Sequence, residues 1–114
     1  AINDFEVKKM ELKTVLQTDM IRGSVVYVDS YGNAITNITK NEFEKVKKGK
    51  EFMILFGRED EMITKLSEKY KDVTNAEKLA LFGENNQLQI AINKGKASKL
   101  LGLKLHEIIR IEFK

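Results

Sequence analysis

The residues best suited to chemistry in this chain of 114 residues are carboxylates and carboxamides rather than nucleophiles. In "VDSYGNAITNI" Asp29, Asn33 and Asn37 recur at four-residue intervals around a glycine turn. A carboxylate at such a turn can take a ligand ammonium, and a carboxamide, with its acceptor and two donors in one plane, matches the edge of an adenine. The same side chains can instead satisfy the amides of their own turn, as Asx turns do. Tyr31, at the tip, is free to stack on a ligand or to pack. A second stretch, "FGENNQLQIAINKG", ends a strand at Asn93 just before Lys94 and Gly95, where bare backbone can approach a ligand. The alternative for Asn93 is to cap the helical segment that follows.

Other chemistries are excluded by what the chain lacks. The single histidine, His106 in "LKLHEIIRI", reads as a surface or strand-edge residue, and becomes a general base only where a carboxylate and a substrate converge on it. No histidine pair and no clustered acidic set has metal-ligand spacing, so no metal site is expected. With no cysteine there are no disulfides and no thiol nucleophile, which fits a reducing compartment and makes the cytoplasm the expected location. The glycines of "FGENN" and "NKGKASKLLG" do not form a nucleotide-binding fingerprint between a strand and a helix.

The elements that must position the asparagines are short and mostly extended. Ser24 to Val28 and "AITNI" flank "DSYGN" as a hairpin, with Gly32 able to take positive φ. "NEFEKVKKG" predicts a short helix with Asn41 as N-cap and Gly49 as its stop. "EFMILFG" reads as a buried strand, and "EMITKLSEKY" as a further strand or a helical turn. "KLALFG" and "QLQIAIN" form a second hairpin turning through Gly83 to Gln87, the latter with Leu88, Ile90 and Ile92 on one face. "KASKLLG" predicts one or two helical turns, and "EIIRIEF" a final strand. The total is a mainly β fold: a small antiparallel β-barrel of six or seven strands with one or two short helices.

Length allows one core. Residues 1–20 mix charges with apolar positions and read as an N-terminal extension or interdomain segment, with residues 21–114 as the barrel domain. The start at Ala1, with no basic-then-apolar leader, suggests a piece of a longer protein or a tag remnant. The net charge of +3 is mild, and the lysines of "KVKKGK" read as a solvated helix end rather than a phosphate site.

Together, "VDSYGNAITNI" and "ALFGENNQLQIAINKGKASKLLG" resemble the C-terminal domain of the S-adenosylmethionine hydroxide adenosyltransferases, adenosine-forming hydrolases related to the bacterial fluorinase and chlorinase. The resemblance runs from about Ile21 to Phe113. It implies that Asp29 binds the methionine amino group, that Asn33 hydrogen-bonds adenine, and that Asn93 and the backbone of Lys94 lie on the nucleobase side. Tyr70, in "KYKDV", is the candidate for the aromatic that covers adenine, while Tyr31 is a candidate substrate contact by its place at the loop tip. Glu84 and Asn85 stand where relatives often carry serines near the methionine carboxylate. The family's N-terminal catalytic domain has no counterpart here. The resemblance therefore implies a substrate-binding half that has no catalytic residue of its own, uses no cofactor besides S-adenosylmethionine as substrate, joins a homotrimer in the intact protein, and is nearly inactive alone. Nucleic acid and membrane partners are not expected. Two rival readings remain at this point: a small barrel that binds nucleic acid through Tyr27, Tyr31 and Tyr70, and an oligomerisation domain without a ligand.

Overall fold

The computed structural model describes residues 13–56, 61–69, 73 and 76–114, and Tyr70 lies outside them. Their elements run β1 (Val15–Leu16), β2 (Met20–Val28), β3 (Ala34–Thr39), α1 (Lys40–Lys47), β4 (Phe52–Phe56), β5 (Glu61–Ile63), β6 (Lys78–Phe82), β7 (Gln87–Ile92), α2 (Ala97–Leu100) and β8 (Ile108–Phe113). Seven strands pair in the order β5-β4-β8-β2-β3-β7-β6, all antiparallel, while β1 pairs with β2 off this path. The two ends of the sheet come together where the Ser67 N–H donates to the Ala80 carbonyl of β6 at 2.8 Å, just past β5. The result is a nearly closed antiparallel barrel with two helices, the mainly β architecture expected from the sequence.

Period-two alternation sets which side chains enter the barrel. On β3, Ala34, Thr36 and Ile38 are buried while Ile35, Asn37 and Thr39 stand half-buried on the outside. On β8, Ile109, Ile111 and Phe113 are buried while Ile108 and Arg110 are exposed. "EMITKLSEKY" resolves at its start as β5, paired through Ile63 to Ile54 and through Met62 to Leu55 of β4. In the segment read as an extension, Val15 and Leu16 pair with Arg22 and Ile21, and Met20 already begins β2.

α1 carries the key core side chain. Phe43 is fully buried, and its ring centroid lies 5.0 Å from that of Phe52 on β4, 5.5 Å from Phe82 on β6 and 5.6 Å from Phe113 on β8. Edge and tilted geometry among aromatics adds to simple area burial. The helix begins two residues earlier than the sequence suggested. Its N-cap is Thr39 rather than Asn41, because Thr39 and Glu42 make a reciprocal capping box: Thr39 Oγ1 accepts from Glu42 N–H at 3.2 Å, and Glu42 Oε1 accepts from Thr39 N–H at 3.0 Å. Thr14 Oγ1 donates to the other Glu42 oxygen. Left-handed residues Lys48 (φ 43°) and Gly49 (φ 80°) end the helix as expected.

Replacing Phe43 by alanine empties the junction of three strands, so Phe43→Ala is expected to cost about 3–5 kcal/mol. Urea unfolding of the two proteins measures it; a loss below about 1 kcal/mol would remove α1 from any structural role in the barrel.

Candidate functional site

The Asp29 loop is built around one carboxylate. Oδ1 accepts from the Tyr31 N–H at 3.0 Å and the Asn33 N–H at 2.9 Å, and Oδ2 accepts from Asn33 Nδ2 at 3.1 Å. The backbone closes the turn as well: Gly32 N–H donates to the Asp29 carbonyl at 3.0 Å, and Asp29 N–H to the Asn33 carbonyl at 3.1 Å. Asp29 and Asn33 therefore satisfy their own turn. An ionised carboxylate offers about four acceptor positions, and the three bonds to Asp29 leave one open. Asn33 is 5% exposed, so its carboxamide is held in a defined orientation rather than swinging in solvent.

Gly32 joins the two sequence motifs. Its φ of 81° is the left-handed conformation that suits glycine, and a Cβ built on it would lie 2.6 Å from Lys96 Cβ and 2.8 Å from Lys96 Cγ. The Ser98 N–H donates to the Gly32 carbonyl at 2.9 Å. The start of α2 is thus seated directly on the Asp29 loop. Its N-cap is Lys96, without a side-chain bond, so Asn93 is not the cap.

A wide concavity of about 1430 Å³ lies beside this junction on the outer face of the barrel wall. Its floor is a row of outward side chains on four neighbouring strands: Tyr27 pairs with Ile35, Ile35 with Gln89, and Gln89 with Leu81. Asp29, Tyr31 and Asn33 stand at one end together with Lys94, Gly95 and Lys96, because the β2–β3 turn and the end of β7 share that edge. The β6–β7 turn, with Gly83, Glu84 and Asn85, forms the other end. No histidine lines it, and His106 is exposed elsewhere, its N–H bonded to the Val25 carbonyl at 2.8 Å.

Of the residues singled out from the sequence, Asp29, Tyr31, Asn33, Glu84, Asn85 and Lys94 share this cleft, and Tyr70 lies outside the described residues. Asn93 is not among its lining residues. Its Nδ2 donates to the Val73 carbonyl at 2.9 Å, on the face it shares with Ala91, so it braces the chain beneath the Lys94 turn. Lys94 itself has a φ of 59°. Asn37 is structural: its Oδ1 accepts from the Ser24 N–H at 2.9 Å, packed against Gly23 beside the irregular register of β2 and β3. Gln89, Ile35 and Lys96 were not anticipated. The alternation of "QLQIAIN" already put Gln89 outward, but only the register shows that Ile35 stands next to it.

The model of the SAM hydroxide adenosyltransferase C-terminal domain matches residues 23–110, a span that holds both motifs and every cleft residue just described. The chain belongs to that family. Among solved structures it is similar to an uncharacterized conserved protein from Thermotoga maritima, with a TM-score of 0.73 and 29% identity over 87% of this chain and 38% of that one. A conserved hypothetical protein from Thermus thermophilus shares the fold, with a TM-score of 0.61 and 22% identity over 82% of this chain and 34% of that one. The chain thus spans little more than a third of the length of either.

The Asp29 loop is held by its carboxylate, and that dependence is testable. Asp29→Ala removes the acceptor for three N–H donors at a partly exposed loop and is expected to cost about 1–3 kcal/mol. Hydrogen exchange should show the Tyr31 and Asn33 amides losing protection while the amides of β8 do not. Unchanged exchange at both would mean that the carboxylate does not hold the loop.

Proposed function

We propose that the domain binds the adenosyl and methionine parts of S-adenosylmethionine in this cleft, as half of an enzyme that converts S-adenosylmethionine and water to adenosine and L-methionine. The observation that supports this reading is the junction of the two motifs: residues from hairpins far apart in the chain form one wall, with a carboxylate, a fixed carboxamide and a bare turn of backbone. Asp29 takes the methionine ammonium at its remaining acceptor position. Asn33 meets the adenine edge, and the backbone at Lys94 lies beside it. Tyr31 is 75% exposed and stands ready to cover a bound ring.

In this reading a water-derived oxygen attacks the 5' carbon of the ribose, the bond from that carbon to sulfur breaks, and its electron pair leaves with methionine. The water proton is released to solvent. A sulfonium leaves as a neutral thioether and needs no proton from the enzyme. The domain's contribution is then positioning and exclusion of water, which are worth several powers of ten when both reactants are held in line. The nucleophile is presented by the N-terminal domain, which the solved relatives have length to accommodate, and each site forms between subunits of a homotrimer.

The test is a calorimetric titration of adenosine into the chain joined to its N-terminal domain. Asn33→Ala is expected to weaken binding by about tenfold or more, the loss of a fixed pair of hydrogen bonds to the base. The isolated domain is expected to hydrolyse S-adenosylmethionine negligibly. Unaltered affinity in Asn33→Ala removes the adenine assignment, and full turnover by the isolated chain removes the division of labour.

A further inference from the structure

The charges of the cleft are divided between its ends. Asp29 lies with the Lys94–Lys96 turn at one, and Glu84 lies at the other. An α-amino acid carries its ammonium and its carboxylate on the same carbon. If Asp29 takes the ammonium, the carboxylate must be received close to the Asp29 loop. Glu84 repels it and Asn85 has no charge to offer.

Lys96 is the cation seated on that loop. Its Cβ and Cγ lie against the bare face of Gly32, three residues after Asp29, and the Ser98 N–H to Gly32 carbonyl bond fixes the turn from which it projects. Its first side-chain torsions are therefore restricted before any ligand arrives, which lowers the entropy lost on binding. The residue is exposed, and among the described residues no carboxylate pairs with its ammonium.

We propose that Lys96 binds the carboxylate of the amino-acid part and so determines specificity, selecting a nucleoside sulfonium whose α-amino acid is intact. This rests on the adenosyl reading above. A charge-assisted contact at an open cleft is expected to contribute about tenfold in affinity.

The experiment titrates adenosine, S-adenosylmethionine and decarboxylated S-adenosylmethionine into the chain joined to its N-terminal domain, as wild type, Lys96→Gln and Lys99→Gln. Lys99 is exposed on α2 and controls for the loss of one positive charge. The expected result is that Lys96→Gln weakens S-adenosylmethionine about tenfold while adenosine and the decarboxylated ligand bind as before or more tightly, and Lys99→Gln shows no such contrast. Equal losses for the two sulfonium ligands would reduce Lys96 to packing against Gly32 and overturn the proposal, as would undiminished affinity for S-adenosylmethionine. If adenosine binds normally and only the carboxylate contrast is missing, Lys96 alone loses its role. If adenosine fails to bind the wild type, the adenosyl reading falls and takes the Lys96 proposal with it.

Discussion

One carboxylate organises the site. Asp29 gathers two backbone N–H groups and one carboxamide N–H into a five-residue turn, and hydrogen bonds to an ionised acceptor are among the stronger ones a loop can make. The opposition between a turn that satisfies itself and a pocket wall dissolves here, because the same bonds do both. They spend three of the acceptor positions on the fold and hold the Asn33 carboxamide against the carboxylate. Gly32 then carries the arrangement to the second motif, since only a residue without a side chain lets Lys96 lie against the turn while Ser98 bonds to its carbonyl.

That wall is precise only because the floor beneath it is stiff. The cleft lies across four antiparallel strands whose inward faces, with Ala34, Ile38, Leu88 and Ile90, belong to a single core cluster closed below by Phe43. Phe82 belongs to both regions: its ring meets Phe43, and it also lines the cleft. α1 reaches the far wall too, through the Lys40 N–H to the Asn86 carbonyl at 2.8 Å, at the turn that carries Glu84 and Asn85. Close-packed interiors transmit displacement rather than absorb it, so the core braces both end walls from beneath.

How much of this was legible depended on how local each cause is. Period-two alternation and glycine turns act over a few residues, so the strands of both hairpins, the stop at Gly49 and the outward face of β7 could be read from the chain. The helix start was misplaced because Asn41 is a good cap by residue type, whereas Thr39 and Glu42 form a reciprocal pair that a single-residue preference overlooks. The chain alone suggests that Asn93 faces a ligand or caps a helix. It does not show that Nδ2 donates to the carbonyl of Val73, twenty positions away, where Val73 packs against Ala91. The same holds for Lys96: a lysine just after a glycine signals nothing until the fold lays it on Gly32.

A wall with these groups suits a displacement that needs no proton transfer. The cleft holds Asp29 already committed to N–H donors, Glu84 at its opposite end, two lysines, and no histidine. Displacement at carbon beside a sulfonium demands no proton from any of them, because the leaving group departs neutral. What it does demand is that the carbon be held in line with the nucleophile and shielded from bulk water. A concavity of about 1430 Å³ open on one side has room for a bound ligand and leaves the second demand unmet. On the proposed reading, then, the missing wall must come from a second body, and catalysis is gated by its arrival rather than by any titrating group in this domain.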